Sequence, residues 1–332
     1  MENVMMRCFR LTTAMGAVAL AAMTAGCSDG LEEYTPVPVE VNAMLTGEAD
    51  TRAGTSLNDK MFSLLTSANG NSTVCLYADD GAYTYTQYKY SITSSSTTST
   101  VLTAPATPPY FGMGKTVSNV YAWYPFNSGN TSFSVNTDQS GNANYDLSDL
   151  MLAQPVECTR VANGNNWTVT PAPLTFKHVL SKIILNIKAP AYFKVTAVNL
   201  KNVKPTLAIS TTKSTSGATN GKVTAIGIGA ALGTAGNVKL YSNSTGFTNT
   251  TQSMAAVIPP QTINNGFIEL TATYTDDGNS YTFNYQVNTE FKSNQRYEYT
   301  LTLNRQGISA TVNVNDWGTK TGTISTGGDQ NL

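Results

Sequence analysis

Short runs in which apolar and polar residues alternate recur along nearly the whole chain, broken by clusters of Gly, Asn, Asp and Pro. Period-two alternation is the signature of a half-buried strand. It predicts strands at Val39–Leu45, Val117–Tyr124, Thr131–Val135, Leu174–Ile187, Phe193–Leu200, Val238–Leu240, Met254–Ile258, Tyr297–Leu303 and Ile308–Val314. Two further pairs read as hairpins. Thr73–Tyr77 and Tyr83–Ile92 flank Asp79-Asp-Gly81, and Phe267–Tyr274 and Tyr281–Val287 flank Asp276-Asp-Gly-Asn279, where Gly and Asn tolerate positive φ. One short helix is expected at Leu57–Ser67. Ser91–Thr103, running into Ala104-Pro-Ala-Thr-Pro-Pro109, reads as a polar surface excursion or long loop, and Thr211–Gly236 as an irregular Gly-rich stretch.

The strand count predicts an all-β protein of two sandwiches, with a boundary near Pro171-Ala-Pro173. A length of 332 residues agrees with two domains. Charged residues are only 12% of the chain, their place taken by Thr, Ser, Asn and Gly, as on an exposed pleated surface. With 20 basic and 21 acidic side chains and no dense basic run, the chain lacks a nucleic-acid footprint.

The N-terminus departs from this pattern. Arg7 and Arg10 precede the apolar stretch Leu11–Met23, which is shorter than the about 20 residues a spanning helix needs, and Ala25-Gly26 precede Cys27. Met23-Thr-Ala-Gly-Cys27 resembles a bacterial lipobox, which implies export and acylation of Cys27 by palmitate-type chains. Thr24 stands where that pattern usually has Leu, so ordinary cleavage after Ala19-Leu-Ala21 is the alternative. Two or more acyl chains would anchor the protein without a spanning helix. Residues 1–26 are thus expected to be a signal peptide. Beyond Cys27, an acidic stretch and Thr35-Pro-Val-Pro38 read as a tether.

Candidate catalytic chemistry is thin. His178 is the only histidine, and its alternating apolar surroundings favour a structural role over that of a base. Cys75 and Cys158, the cysteines left after export, permit a disulfide or two buried thiols, and with a single histidine they supply no closed zinc site. Gly114-Lys-Thr116 looks like the end of a phosphate loop, but Pro109 stands where the motif needs Gly and a strand follows where a helix must start. Asp79-Asp80 and Asp276-Asp277 occupy turn positions. Asp138–Asp146 is oxygen-rich but lacks a calcium loop's spaced carboxylates, and reads as a loop. Trp123, Trp167, Trp317 and the 17 tyrosines would stack on sugars only if exposed, and packing is the simpler role. No enzyme, metal or cofactor is expected.

Tyr121-Ala-Trp-Tyr-Pro-Phe126, Asp149-Leu-Met-Leu-Ala153, Leu174–Ile183, Ala256-Val-Ile-Pro-Pro-Gln261, Tyr297–Leu303 and Ile308–Trp317 follow one another in that order behind a lipobox. Together they resemble the fimbrillin family of two-domain pilins of Gram-negative Bacteroidales, the type V pilus group. The resemblance implies two tandem transthyretin-like, Greek-key β-sandwich domains, at 53–173 and 174–332, after a tether and removable strand at 27–52. It also implies a life history. An outer-membrane lipoprotein precursor is cut between Arg52 and Ala53 by an arginine-specific protease. The strand carrying Val39, Val41, Ala43 and Leu45 leaves, and a neighbouring subunit fills the gap. The donor strand is expected at Ile308, Ala310, Val312 and Val314, with Ile324 beyond. Partners would then be other fimbrial subunits joined head to tail and a host or bacterial surface ligand. A minor tip or anchor subunit, and a surface glycan-binding lipoprotein, are the alternative readings.

Overall fold

The computed structural model describes residues 36–45, 73–79, 87–95, 99–127, 131–164, 166–217 and 220–317. Nearly all of it is strand. The N-terminal half holds β1 (Val41–Leu45), β2 (Thr73–Asp79), β3 (Tyr88–Ser95), β4 (Ser99–Thr103), β5 (Val117–Tyr124), β7 (Met151–Asn163), β8 (Asn166–Thr170) and β9 (Ala172–His178). These form one sheet in the order β5-β2-β3-β4-β1-β9-β7-β8, which curls until β5 also pairs with β7. The curled faces enclose a core of Val74, Leu76, Tyr90, Ile92, Phe111, Val120, Tyr124, Leu174 and Phe176.

The C-terminal half is a four-on-four sandwich. Its sheets are β15 (Thr250–Ile258), β10 (Ser181–Ala189), β18 (Gln295–Asn304) and β19 (Gly307–Asp316), and β14 (Gly236–Phe247), β11 (Phe193–Val203), β16 (Gln261–Tyr274) and β17 (Ser280–Phe291). Ile183, Leu185, Ile187, Val198, Leu200, Ile268, Leu270, Tyr299 and Leu301 fill the space between them. Burial of each such side chain stabilises the fold by about 1.5–3 kcal/mol.

A third, three-stranded sheet joins the halves: β13 (Val223–Leu232), β12 (Thr206–Lys213) and β6 (Ser132–Ser134). It packs Phe133, Leu207, Ile209, Val223 and Ile226 onto Cys75, Tyr121, Trp123 and Leu152 from the outer face of the first sheet. Side chains of the N-terminal half also grip strand edges in the other half. Gln139 Nε2 donates to the Val257 carbonyl at 2.9 Å and its Oε1 accepts from the Val257 amide at 2.8 Å. Gln154 does the same at Ile226, at 2.7 and 3.1 Å. At Val223, Asn119 Nδ2 donates to the carbonyl at 2.7 Å while Asp79 Oδ2 accepts from the amide at 3.3 Å. Each clamp satisfies a backbone pair that would otherwise be left without partners at an edge.

Four local expectations change. Ser91–Thr103 is not a loop: β3 and β4 pair antiparallel through it, because Ser and Thr suit a pleated surface as well as a turn. The stretch after Thr211 is the β12–β13 hairpin, its glycines Gly227 and Gly229 lying in strand. Leu174–Ile187 is two strands, β9 in the first sheet and β10 in the sandwich. The chain crosses between the halves at Val179-Leu180, after the Pro171-Ala-Pro173 segment and not at it. Within Asp138–Asp146 begins a seven-residue helix, α1 (Asn142–Ser148), where a loop was expected. The expected helix at Leu57–Ser67 lies outside the described residues.

Candidate strand-exchange site

The first strand is an interior strand. β1 pairs antiparallel with β4 (Asn42 opposite Val101, Met44 opposite Ser99) and parallel with β9 (Val41 opposite Ala172, through to Leu45 opposite Phe176). Its pairing extends upstream of the strand itself. The Ala172 amide donates to the Glu40 carbonyl at 2.9 Å, the Val39 amide to the Pro109 carbonyl at 2.9 Å, and the Phe111 amide to the Val37 carbonyl at 3.0 Å. β1 is therefore held on both sides, by β4 and β9, while residues 37–39 are held on one, by the loop through Pro109–Phe111.

Alternation decides what this segment buries. Val37, Val39, Val41 and Ala43 lie in the core, while Pro36, Pro38, Glu40, Asn42 and Met44 face out. Val39 is 2% exposed and Ala43 fully buried. They pack among the residues of the first core, with Tyr90, Leu102, Phe111, Leu174 and Phe176. Thr35-Pro-Val-Pro38, read from its prolines as a tether, is thus partly structural. Pro38 stands opposite Tyr110 in an isolated antiparallel bridge whose flanking residues make the hydrogen bonds, so its missing N–H costs nothing there. The alternation from Val37 onward was visible in the sequence, but the prolines masked it.

The same local arrangement recurs in the second half. β10, like β1, sits between an antiparallel partner, β15, and a parallel one, β18. β1 is to its sheet what β10 is to the sandwich, except that β10 is nine residues long and β1 five.

The expected donor residues are engaged in their own half. β19 pairs with β18 along its whole length, Ile308 opposite Leu303 and Val314 opposite Tyr297. Ile308 is buried in the second core, and Ala310, Val312 and Val314 pack against it. Among the described residues, the far edge of β19 has no strand neighbour in its sheet. Cys27, Arg52, Ala53 and Ile324, and the side chain of Leu45, lie outside the described residues.

The other singled-out residues are packing or turn residues. His178 Nδ1 lies 2.9 Å from Asp149 Oδ1, and its ring stacks on Trp317 at 4.0 Å between centroids, with Lys182 Nζ 5.5 Å from the indole. Cys75 and Cys158 are free, buried thiols in different cores. Burial pushes Cys75 up to about 12, although a hydrogen bond with Tyr77 opposes it. Asp277 accepts from the Asn279 amide at 2.8 Å and from the Tyr281 hydroxyl, as a turn aspartate does. Trp123 and Trp317 are buried. Trp167 is 41% exposed, but the Arg160 guanidinium covers one of its faces at 4.2 Å. Among the described residues no group of His, Cys, Asp or Glu is placed to hold a metal, and no helix is long and apolar enough to cross a membrane.

Comparison with known proteins agrees with this architecture. Crystal structures of candidate cell adhesion proteins from Bacteroides uniformis ATCC 8492 and Bacteroides ovatus ATCC 8483 share the fold. The first has a TM-score of 0.53 at 19% identity, over 88% of this chain and 100% of that one. The second has a TM-score of 0.54 at 15% identity, over 87% and 100%. Among curated proteins no sequence matches. The fimbrillin-like family model matches residues 51–317, most of the chain. With its all-β architecture and that match, the chain belongs to the fimbrillin-like family and is a fimbrial subunit.

Proposed function

We propose that this subunit is exported as a lipoprotein through Cys27, cut between Arg52 and Ala53 by an arginine-specific protease, and polymerised by strand exchange at the position of β1. The observation that carries this reading is the interior placement of residues 37–45. Their departure would uncover backbone edges on β4, β9 and Pro109–Phe111 together with pockets for four alternate side chains. An open edge over apolar pockets is a template for strand addition. Head-to-tail addition of this kind does not close, so it grows a filament.

The donor is a C-terminal strand of a neighbour. The spacing of Ile308, Ala310, Val312 and Val314 matches that of the four buried leader residues, but in this state they would have to leave β18 first. Ile324, beyond Trp317, belongs to the same expected donor. The domains run 53–173 and 174–332, a boundary that falls within β9 and leaves most of that strand in the first sheet. The processed subunit resides in an extracellular fimbria on the outer membrane, facing a host or bacterial surface ligand.

The test is proteolysis of lipid-free precursor with an arginine-specific protease. A stable product beginning at Ala53 should form, followed by detergent-resistant ladders, and Arg52→Ala should prevent both. Processed protein that stays monomeric at every concentration would refute the polymerising role. Saturable glycan binding independent of Arg52 would favour the lectin-like alternative.

A further inference from the structure

Arg160 is a buried cation without a carboxylate. It lies on β7, is 2% exposed, and pairs with no acidic group among the described residues. Its guanidinium is instead sandwiched between two rings, 5.1 Å from the Phe111 centroid and 4.2 Å from that of Trp167. Nε donates to the Lys115 carbonyl at 2.6 Å and Nη2 to the Gly112 carbonyl at 3.4 Å, and the Arg160 amide donates to the Thr116 carbonyl at 2.8 Å. Nη1 is buried without a hydrogen-bond partner among the described residues. Leaving a donor of a charged group unsatisfied is costly, so the residue's value lies in the contacts it does make.

Those contacts fix one turn. Gly112-Met-Gly-Lys115 closes with the Lys115 amide donating to the Gly112 carbonyl at 2.9 Å, and Gly114 takes a φ of +67°, open to glycine and strained for other residues. The residues that looked like a failed phosphate loop are the turn that Arg160 caps. The chain just before this turn supplies the Pro109 carbonyl and Phe111 amide that hold Val39 and Val37. Arg160 touches the turn and the Phe111 ring, but makes no hydrogen bond to residues 36–45. Its grip on the loop is therefore independent of the strand the loop holds.

We propose that Arg160 is a positioning residue for strand exchange: it pins the 109–116 loop to β7, so that Pro109 and Phe111 stay presented as a pairing edge while the slot is empty. This rests on the strand-exchange reading and adds to it. A slot edge made of loop would otherwise collapse into the exposed core once residues 37–39 left. The planar fork matters as much as the charge, because it reaches two carbonyls while sitting over two rings.

The experiment uses full-length precursor cut after Arg52, with a fluorescent synthetic peptide of residues 36–45 as the incoming strand. Wild-type, Arg160→Met, Arg160→Lys and Trp167→Ala proteins are compared for peptide capture, for hydrogen exchange at residues 111–116 and for Tm. Arg160→Met should slow capture about tenfold or more and deprotect the 111–116 amides. Arg160→Lys should fail to restore either. Trp167→Ala, at an exposed position that leaves the core intact, should give the same changes to a smaller degree, which keeps the test valid if Arg160→Met does not fold. Normal capture and loop protection in the variants would overturn the proposal, even if Tm fell, since that is what a purely structural arginine would give. Wild-type protein that captures no peptide would instead overturn the strand-exchange reading beneath it.

Discussion

Single residues set what the slot accepts. Val37, Val39 and Val41 each place a β-branched side chain in the core by alternation, and Ala43 is fully buried among the same residues. Val39→Ala should lower precursor stability by about 2 kcal/mol through lost burial and the cavity left behind, measured by denaturant unfolding. Ala43→Leu should destabilise it by overpacking, by about 1–3 kcal/mol. The buried thiol and phenol of Cys75 and Tyr121 give a prediction in pH. Burial holds both near 12 in the folded protein, against 9.0 and 10.0 for the free groups. Their protonated forms favour the fold, so their contribution is complete below about pH 9 and fades as pH rises toward 12. Tm should fall across that window, and Cys75 should resist alkylation at pH 9 until the protein is denatured.

At the scale of elements, the strands and the second hairpin were legible because alternation and turn chemistry agree there: Val117–Tyr124 was delimited to the residue, and Gly278 takes the positive φ its turn implies. In the first hairpin Asp79, expected in the turn, is instead the buried last residue of β2, and the rest of that turn lies outside the described residues. What escaped was composition that suits two states. The Ser and Thr of 91–103 fit loops as well as edge strands, and only pairing with β1 and β3 decides between them. Arg160 could not have been found from sequence. Nothing in Cys158-Thr-Arg160-Val separates an exposed strand arginine from one folded beneath a turn 45 residues upstream. The carboxamide clamps were equally silent, since Gln139 sits in a polar stretch and Gln154 is a lone polar residue in an apolar strand, and at both solvation is the default. Removing one should tell. Gln154→Ala leaves the Ile226 amide and carbonyl unpaired, and should cost about 1–3 kcal/mol with faster hydrogen exchange at Ile226, ahead of any change in the C-terminal sandwich.

Taken as a whole molecule, the two halves are one compact unit, fastened by the three-stranded sheet and three two-point clamps, with only a short crossing at Val179-Leu180. Gln139→Ala combined with Gln154→Ala should therefore loosen the halves without unfolding either, seen as a larger radius of gyration in solution scattering with unchanged far-ultraviolet circular dichroism. A strand flanked on both sides has a mechanical meaning as well. Tension along such a strand loads every rung of its two ladders at once, and the clamps carry the pull across to the neighbouring sandwich. A thread assembled from these joints would yield by wholesale rupture, never by unpeeling one bond at a time.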